Sequence, residues 1–166
     1  MKSVVLYHSK YGATKQYAHW IAKDLNCEAL DSQKVNTSDL VDYDRIIFGG
    51  GIYMEKVIGL RPFIKQLETL KGKKVFIFAV GLSEQCDKTI LRDMDLPFYY
   101  LRGRLNYQDL TLKDKILIQI FKIILKTITD PKKKQPTLFK AINEPVDYVK
   151  KENLKSILEA LQTLEG

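Results

Sequence analysis

The stretch LYHSKYGATKQYAHWIAKDL, residues 6–25, joins two patterns at a turn. Ahead of the turn, Ser3–Tyr7 is a short apolar run rich in β-branched residues, the signature of a strand buried on both faces. Behind it, Tyr17, Ala18, Ile21, Ala22 and Leu25 recur at helical spacing over residues 14–25. The turn itself, Ser9-Lys10-Tyr11-Gly12-Ala13-Thr14, has a hydroxyl at each end and a glycine inside. A buried strand followed directly by an amphipathic helix is the opening half of a βαβ unit.

The pattern repeats along the chain. Cys27–Leu30 predicts a short second strand, and Thr37–Val41 a degenerate helix. Arg45–Phe48 predicts a buried strand cut by Gly49-Gly50-Gly51. Leu60–Leu70 predicts a helix with Phe63, Ile64, Leu67 and Leu70 on one face, ended by Lys71-Gly72-Lys73. Lys74–Val80 predicts a buried strand stopped by Gly81, residues 86–94 a short helix, Phe98–Leu105 a fifth strand and Glu152–Leu164 the closing helix. Strands apolar throughout, alternating with helices, make an α/β doubly wound parallel sheet in a single domain over residues 1–166. Residues 108–147 form an additional segment before the last helix.

Composition narrows the class. Apolar residues make up 45% of the 166 and charged residues 28%, a globular balance. The apolar run Val4–Tyr7 is too short for a signal peptide, and no uncharged run reaches the roughly 18 residues of a spanning helix, so a cytoplasmic protein is expected. Cys27 and Cys86 are too far apart in sequence for a metal motif or a disulfide framework, and no metal is expected. The net charge of +7 favours anionic partners. Residues 113–134 hold seven lysines against Asp114 and Asp130, a net +5.

In an open parallel sheet, ligands bind beyond the carboxyl ends of the strands. The Ser9–Thr14 turn lies there, where free N–H groups and the helix dipole attract an anion. Gly12 permits close backbone approach, and Ser9 and Thr14 add hydroxyl donors. The alternative is an ordinary helix cap, which Ser and Thr also supply. Walker-type and dinucleotide fingerprints are absent from the sequence. A phospho-acceptor receiver domain is excluded because Gly49-Gly50-Gly51 stands where its aspartate belongs.

SKYGAT resembles the phosphate loop of flavodoxins, [ST]-x-[ST]-G-x-T, with Tyr11 standing where that family prefers Thr or Ser. The stretch DYDRIIFGGGIYMEKVIGLRPFIKQLETLKGKKVFIFAVGL is similar to that family's third strand, third helix and fourth strand. The resemblance implies strand order 2-1-3-4-5 and FMN as cofactor, its phosphate on Ser9, Lys10, Tyr11, Gly12, Ala13 and Thr14. It also implies that Gly50, Gly51, Ile52, Tyr53 and Met54 flank the flavin ring. Tyr53 is the stacking candidate, its alternative an ordinary surface tyrosine. Gly81, Leu82 and Ser83 are candidates to offer amides to the flavin's polar edge, or form a plain turn. His8 and His19 show no acidic partner and are assigned no catalytic role; the flavin would carry the chemistry.

On a helical wheel, residues 111–128 place Lys115, Gln119, Lys122 and Lys126 in a stripe about 60° wide and their apolar residues over roughly 220°, far beyond the ~100° face of a surface helix. With DPKKKQP following at 130–136, this fits peripheral contact with an anionic membrane; deep packing or a homodimer interface is the alternative. A basic apolar stretch there, with RGRLNY at 102–107, resembles the flavodoxin-type protoporphyrinogen IX dehydrogenase group. That likeness implies an FMN-dependent oxidoreductase at the inner face of the cell membrane, with a porphyrinogen as electron donor and a quinone as acceptor. The short region between the fourth and fifth strands leaves little room for a porphyrin. The alternatives are a soluble flavodoxin-type electron carrier and a non-enzymatic lipid- or nucleic-acid-binding module, nucleic acid being the less favoured partner. Lys10 and Lys56, near the flavin, are expected to favour its full reduction by electron pairs.

Overall fold

A computed structural model describes residues 1–68, 70–86, 88–91, 95–127, 140–141 and 143–163. Strand β1 (Ser3–His8) lies between β2 (Glu28–Asp31) and β3 (Arg45–Tyr53), and the sheet continues through β5 (Lys74–Gly81) to β6 (Phe98–Arg102). Every neighbouring pair along this path is parallel, in the order β2-β1-β3-β5-β6. A two-residue strand, β4 (Lys56–Val57), folds back on the end of β3 outside that path. This is the expected flavodoxin-like doubly wound fold, with β5 and β6 as its fourth and fifth parallel strands.

Alternation along β1, β3 and β5 divides the core into two layers. Val5, Ile47, Phe76, Phe78 and Val80 face helix α1 (Ala13–Asp24) and helix α4 (Lys155–Gln162) through Tyr17, Ala18, Ile21, Ile157 and Leu161. Val4, Leu6, Ile46, Phe48 and Ile77 face helix α2 (Leu60–Leu67) and a 3-10 turn at Thr37–Leu40 through Phe63, Leu60 and Leu40. The stacked rings of Phe48 and Phe63, 4.5 Å apart, join sheet to helix on that side. At the amino edge, Arg45 is buried, its Nε donating to Ser3 Oγ (2.9 Å) and its Nη1 to the Leu161 carbonyl (2.7 Å). Those bonds make a buried guanidinium tolerable and tie the closing helix to the sheet.

Several boundaries differ from the sequence reading, each for a physical reason. Gly49-Gly50-Gly51 does not cut β3; the strand runs through it to Tyr53. A Cβ on Gly49 would stand 2.0 Å from the Phe78 ring, and one on Gly50 would stand 2.4 Å from Val57 Cγ1. These glycines therefore admit side chains of the neighbouring layers. The expected strand Phe98–Leu105 is two strands, β6 and β7 (Arg104–Leu105), parted at Gly103, where a Cβ would meet Val80 Cγ1 at 2.9 Å. The closing helix begins as a 3-10 turn at Lys151–Leu154, and α2 is shorter than expected. Lys88–Leu91 forms a 3-10 turn, whereas residues 92–94 of the expected short helix and Leu164 lie outside the described residues.

The additional segment is bounded by a ribbon in which β7 pairs antiparallel with β8 (Val146–Asp147). It carries helix α3 (Leu112–Thr127), while residues 128–139, including the lysines at 132–134, lie outside the described residues. Among the described residues, no helix is long and apolar enough to cross a membrane. Gly49→Ala must displace the Phe78 ring and should lower stability by roughly 1–3 kcal/mol in urea unfolding, with Phe78→Leu restoring part of the loss. An unchanged unfolding midpoint would contradict the packing described.

Candidate functional site

The carboxyl ends of β1, β3 and β5 bring three loops together. At the first, the chain leaves His8 and turns at Gly12, which sits at φ 85° and caps α1 with no side-chain hydrogen bond to the helix. A left-handed conformation at the cap costs glycine least, because it has no Cβ. Ser9 Oγ accepts the Gly12 N–H at 3.1 Å, so Ser9 stabilises the turn rather than capping the helix. The first N–H groups of an α-helix have no partner within it, and α1 has no acidic residue in its first turn. A positive, uncapped helix end therefore opens at the edge of the sheet. Ala13 and Thr14 are buried there, and Thr14 Oγ1 lies 3.6 Å from where a Gly51 Cβ would stand.

The second loop is a tight hairpin. Ile52 pairs with Val57 and Tyr53 with Lys56, and Met54 and Glu55 form the turn at φ 49° and 58°. Met54 projects outward, 66% exposed. Of the three glycines, the structure gives Gly49 and Gly50 to internal packing, whereas Gly51 has only ordinary contacts around its Cα. Gly51 and the half-buried Tyr53 are thus the part of the β3 end that faces the α1 turn, while Ile52 packs with the layer on the opposite face of the sheet.

At the third loop, Gly81 is required because a Cβ would stand 2.9 Å from the Tyr100 hydroxyl. Its carbonyl accepts the Gly103 N–H at 2.7 Å. Tyr100 donates its hydroxyl to the carbonyl of Ser83 at 2.7 Å. Burial pushes the Tyr100 phenol up, with the Cys86 thiol adding to the effect and the Arg102 guanidinium opposing it. Leu82 is half-buried and Ser83 exposed. The two histidines pack locally: His8 lies against Gly59, and His19 tilts against Tyr7 at 5.7 Å.

Two residues at this site escaped the sequence reading. Asp114, in the first turn of α3, is 3% exposed, and its carboxylate accepts the hydroxyls of Tyr11 and, at 2.8 Å, Tyr53. It also pairs with the Lys10 ammonium at 2.6 Å. The Lys10 charge is thereby opposed by a carboxylate, whereas Lys56 is exposed in the hairpin opposite Tyr53. Arg104, on β7, reaches within 3.3 Å of where a Gly12 Cβ would stand, and pairs loosely with Asp147 at 3.7 Å. Between Tyr11 and the β7–β8 ribbon lies an open cleft of about 410 Å³, lined also by Asn106, Asp109 and Leu110. The only local hint of Asp114 was a lone carboxylate at the start of a lysine-rich helix. Its hydroxyl partners Tyr53 and Tyr11 are 61 and 103 residues away in sequence.

A family model described as "Flavodoxin domain" matches residues 4–132. A flavodoxin of Maridesulfovibrio salexigens is 34% identical over 95 residues, covering 50% of this chain and 65% of its own length. An uncharacterized protein of Methanocaldococcus jannaschii is 35% identical over 84 residues, covering 49% of this chain and 55% of its own length. The chain thus spans less than two thirds of these curated relatives. Among solved structures, oxidised flavodoxin 2 from Bacillus cereus superposes with a TM-score of 0.50 at 21% identity, over 61% of this chain and 84% of that one, a likeness of fold.

Proposed function

We propose, from the premise that this chain belongs to the flavodoxin domain family, that it binds FMN with the phosphate in the Ser9–Thr14 turn and the ring beside Tyr53, and transfers electrons. The observation that carries this reading is the α1 end: a left-handed Gly12, an uncapped first turn without acidic residues, and a buried Thr14 facing Gly51. In this reading Ser9 and Thr14 offer hydroxyls, and the N–H groups of the first turn hold the phosphate oxygens. Gly51 and Ile52 let the ribityl chain pass close to the backbone. Tyr53 presents an aromatic face, and Met54 flanks it at the hairpin tip. Gly81, Leu82 and Ser83 border the ring's polar edge. Bound FMN would supply reversible transfer of one or two electrons, and the protein would supply position and electrostatics.

Within this class, we favour an oxidoreductase that passes electron pairs to a membrane-dissolved acceptor such as a quinone over a soluble shuttle. The support is α3, which exposes Leu112, Ile116, Ile120 and Ile123 at helical spacing, between 49% and 76% each. The seven lysines of residues 113–134 lie on the same segment. An exposed apolar stripe with nearby cations suits shallow seating on an acidic lipid surface. Oxidation of a porphyrinogen rests on the resemblance of the insert alone. An electron carrier with a soluble partner is the second reading, favoured by the family itself.

Two measurements test the proposal. Thr14→Glu sets a negative charge against the phosphate and should weaken FMN binding at least tenfold, about 1.4 kcal/mol, in a fluorescence titration of the apoprotein. Equal affinity would remove the turn from the site. For the membrane, vesicles containing acidic lipid should sediment the protein at low salt and release it when Ile116 and Ile120 become Asp. Protein that stays in the supernatant assigns the stripe to a protein interface instead.

A further inference from the structure

A carboxylate 4% exposed is costly to hold unless it is paired, and that of Asp114 is paired with three side chains at once. Its partners Lys10 and Tyr11 belong to the α1 turn, and Tyr53 to the β3–β4 hairpin. The Lys10 ammonium lies both 2.6 Å from Asp114 Oδ2 and 4.3 Å from the centre of the Tyr53 ring, over its face. Thr111, just ahead of α3, accepts the Asp114 N–H at 3.3 Å and so fixes the residue that carries the charge. Helix α3 lies outside the five-strand sheet path, yet it supplies the anion in this contact set.

From this geometry we infer that Asp114 is a built-in counter-charge of the phosphate turn. It cancels Lys10, leaves anion affinity to the helix N–H groups, and couples the seating of α3 to how tightly the flavin phosphate is held. The inference rests on the FMN reading above and adds to it a positioning residue outside the motif. A phosphate dianion would meet a neutral Lys10–Asp114 pair. Removing either member leaves one uncompensated charge within a Debye length of it, so the two single variants act with opposite signs.

A double-mutant cycle reads those signs. Lys10→Gln should weaken FMN binding by about tenfold, because the buried carboxylate then repels the phosphate. Asp114→Asn, which keeps an oxygen for a tyrosine hydroxyl, should tighten binding several-fold. The double variant should return to within about twofold of the parent. The same cycle is read without flavin as the rise in melting temperature caused by inorganic phosphate, so failure of FMN to bind the parent would sink the FMN reading while the charge pairing is still tested. If Asp114→Asn alone does not fold, the comparison of Lys10→Gln with the double variant decides the matter. A double variant no better than Lys10→Gln overturns the inference and makes Asp114 a structural anchor for α3.

Discussion

Burial of the central strands on both faces is the constraint from which the rest of the molecule follows. Val4, Val5, Ile46, Ile47, Ile77 and Phe78 are all fully buried, so helices must cover each side of the sheet. Parallel strands cannot be joined by hairpins and must return through those helices. Every strand of the parallel path then points its carboxyl end to the same edge, and the loops that need close backbone approach or free N–H groups gather there. The cluster of Ser9–Thr14, Gly51–Tyr53 and Gly81–Ser83 is a product of topology before it is a product of chemistry.

The insert is attached to that edge at two levels. The β7–β8 ribbon closes its ends, with Arg104 set against Gly12. Asp114 then fastens the start of α3 to both the turn and the hairpin. One face of α3 is thereby committed to the site, and the opposite face, with Ile116, Ile120 and Ile123, is left to solvent or to a partner. Asp114 on one face and the exposed apolar stripe on the other belong to one helix of 16 residues. The five-strand frame acquires a second surface without disturbing its sheet.

Much of the frame was legible in the sequence because it depends on local periodicity. The apolar runs at Val4–Tyr7, Arg45–Phe48 and Lys74–Val80 could be buried only as strands, and the spacing of Tyr17, Ala18 and Ile21 gave the inner face of α1. The turn was legible because its glycine and hydroxyls follow a strand directly. What could not be read depends on neighbours distant in sequence. Gly49 and Gly50 look like breakers until Phe78 and Val57 are seen to fill the space above them. The hairpin at Met54–Glu55 has left-handed residues with none of the usual Asn or Gly to announce it. Asp114 reads as one charge among many lysines, because Lys10, Tyr11 and Tyr53 reach it only through the fold.

The central claim, that flavin phosphate sits in the α1 turn, is tested most directly by following backbone amide resonances as FMN is added to the apoprotein. The account predicts the largest shifts at residues 10–15, further shifts at Gly51–Tyr53 and Gly81–Ser83, and quiet resonances along α4. Shifts confined to α3 and the cleft beside the β7–β8 ribbon, with residues 10–15 unmoved, would contradict it.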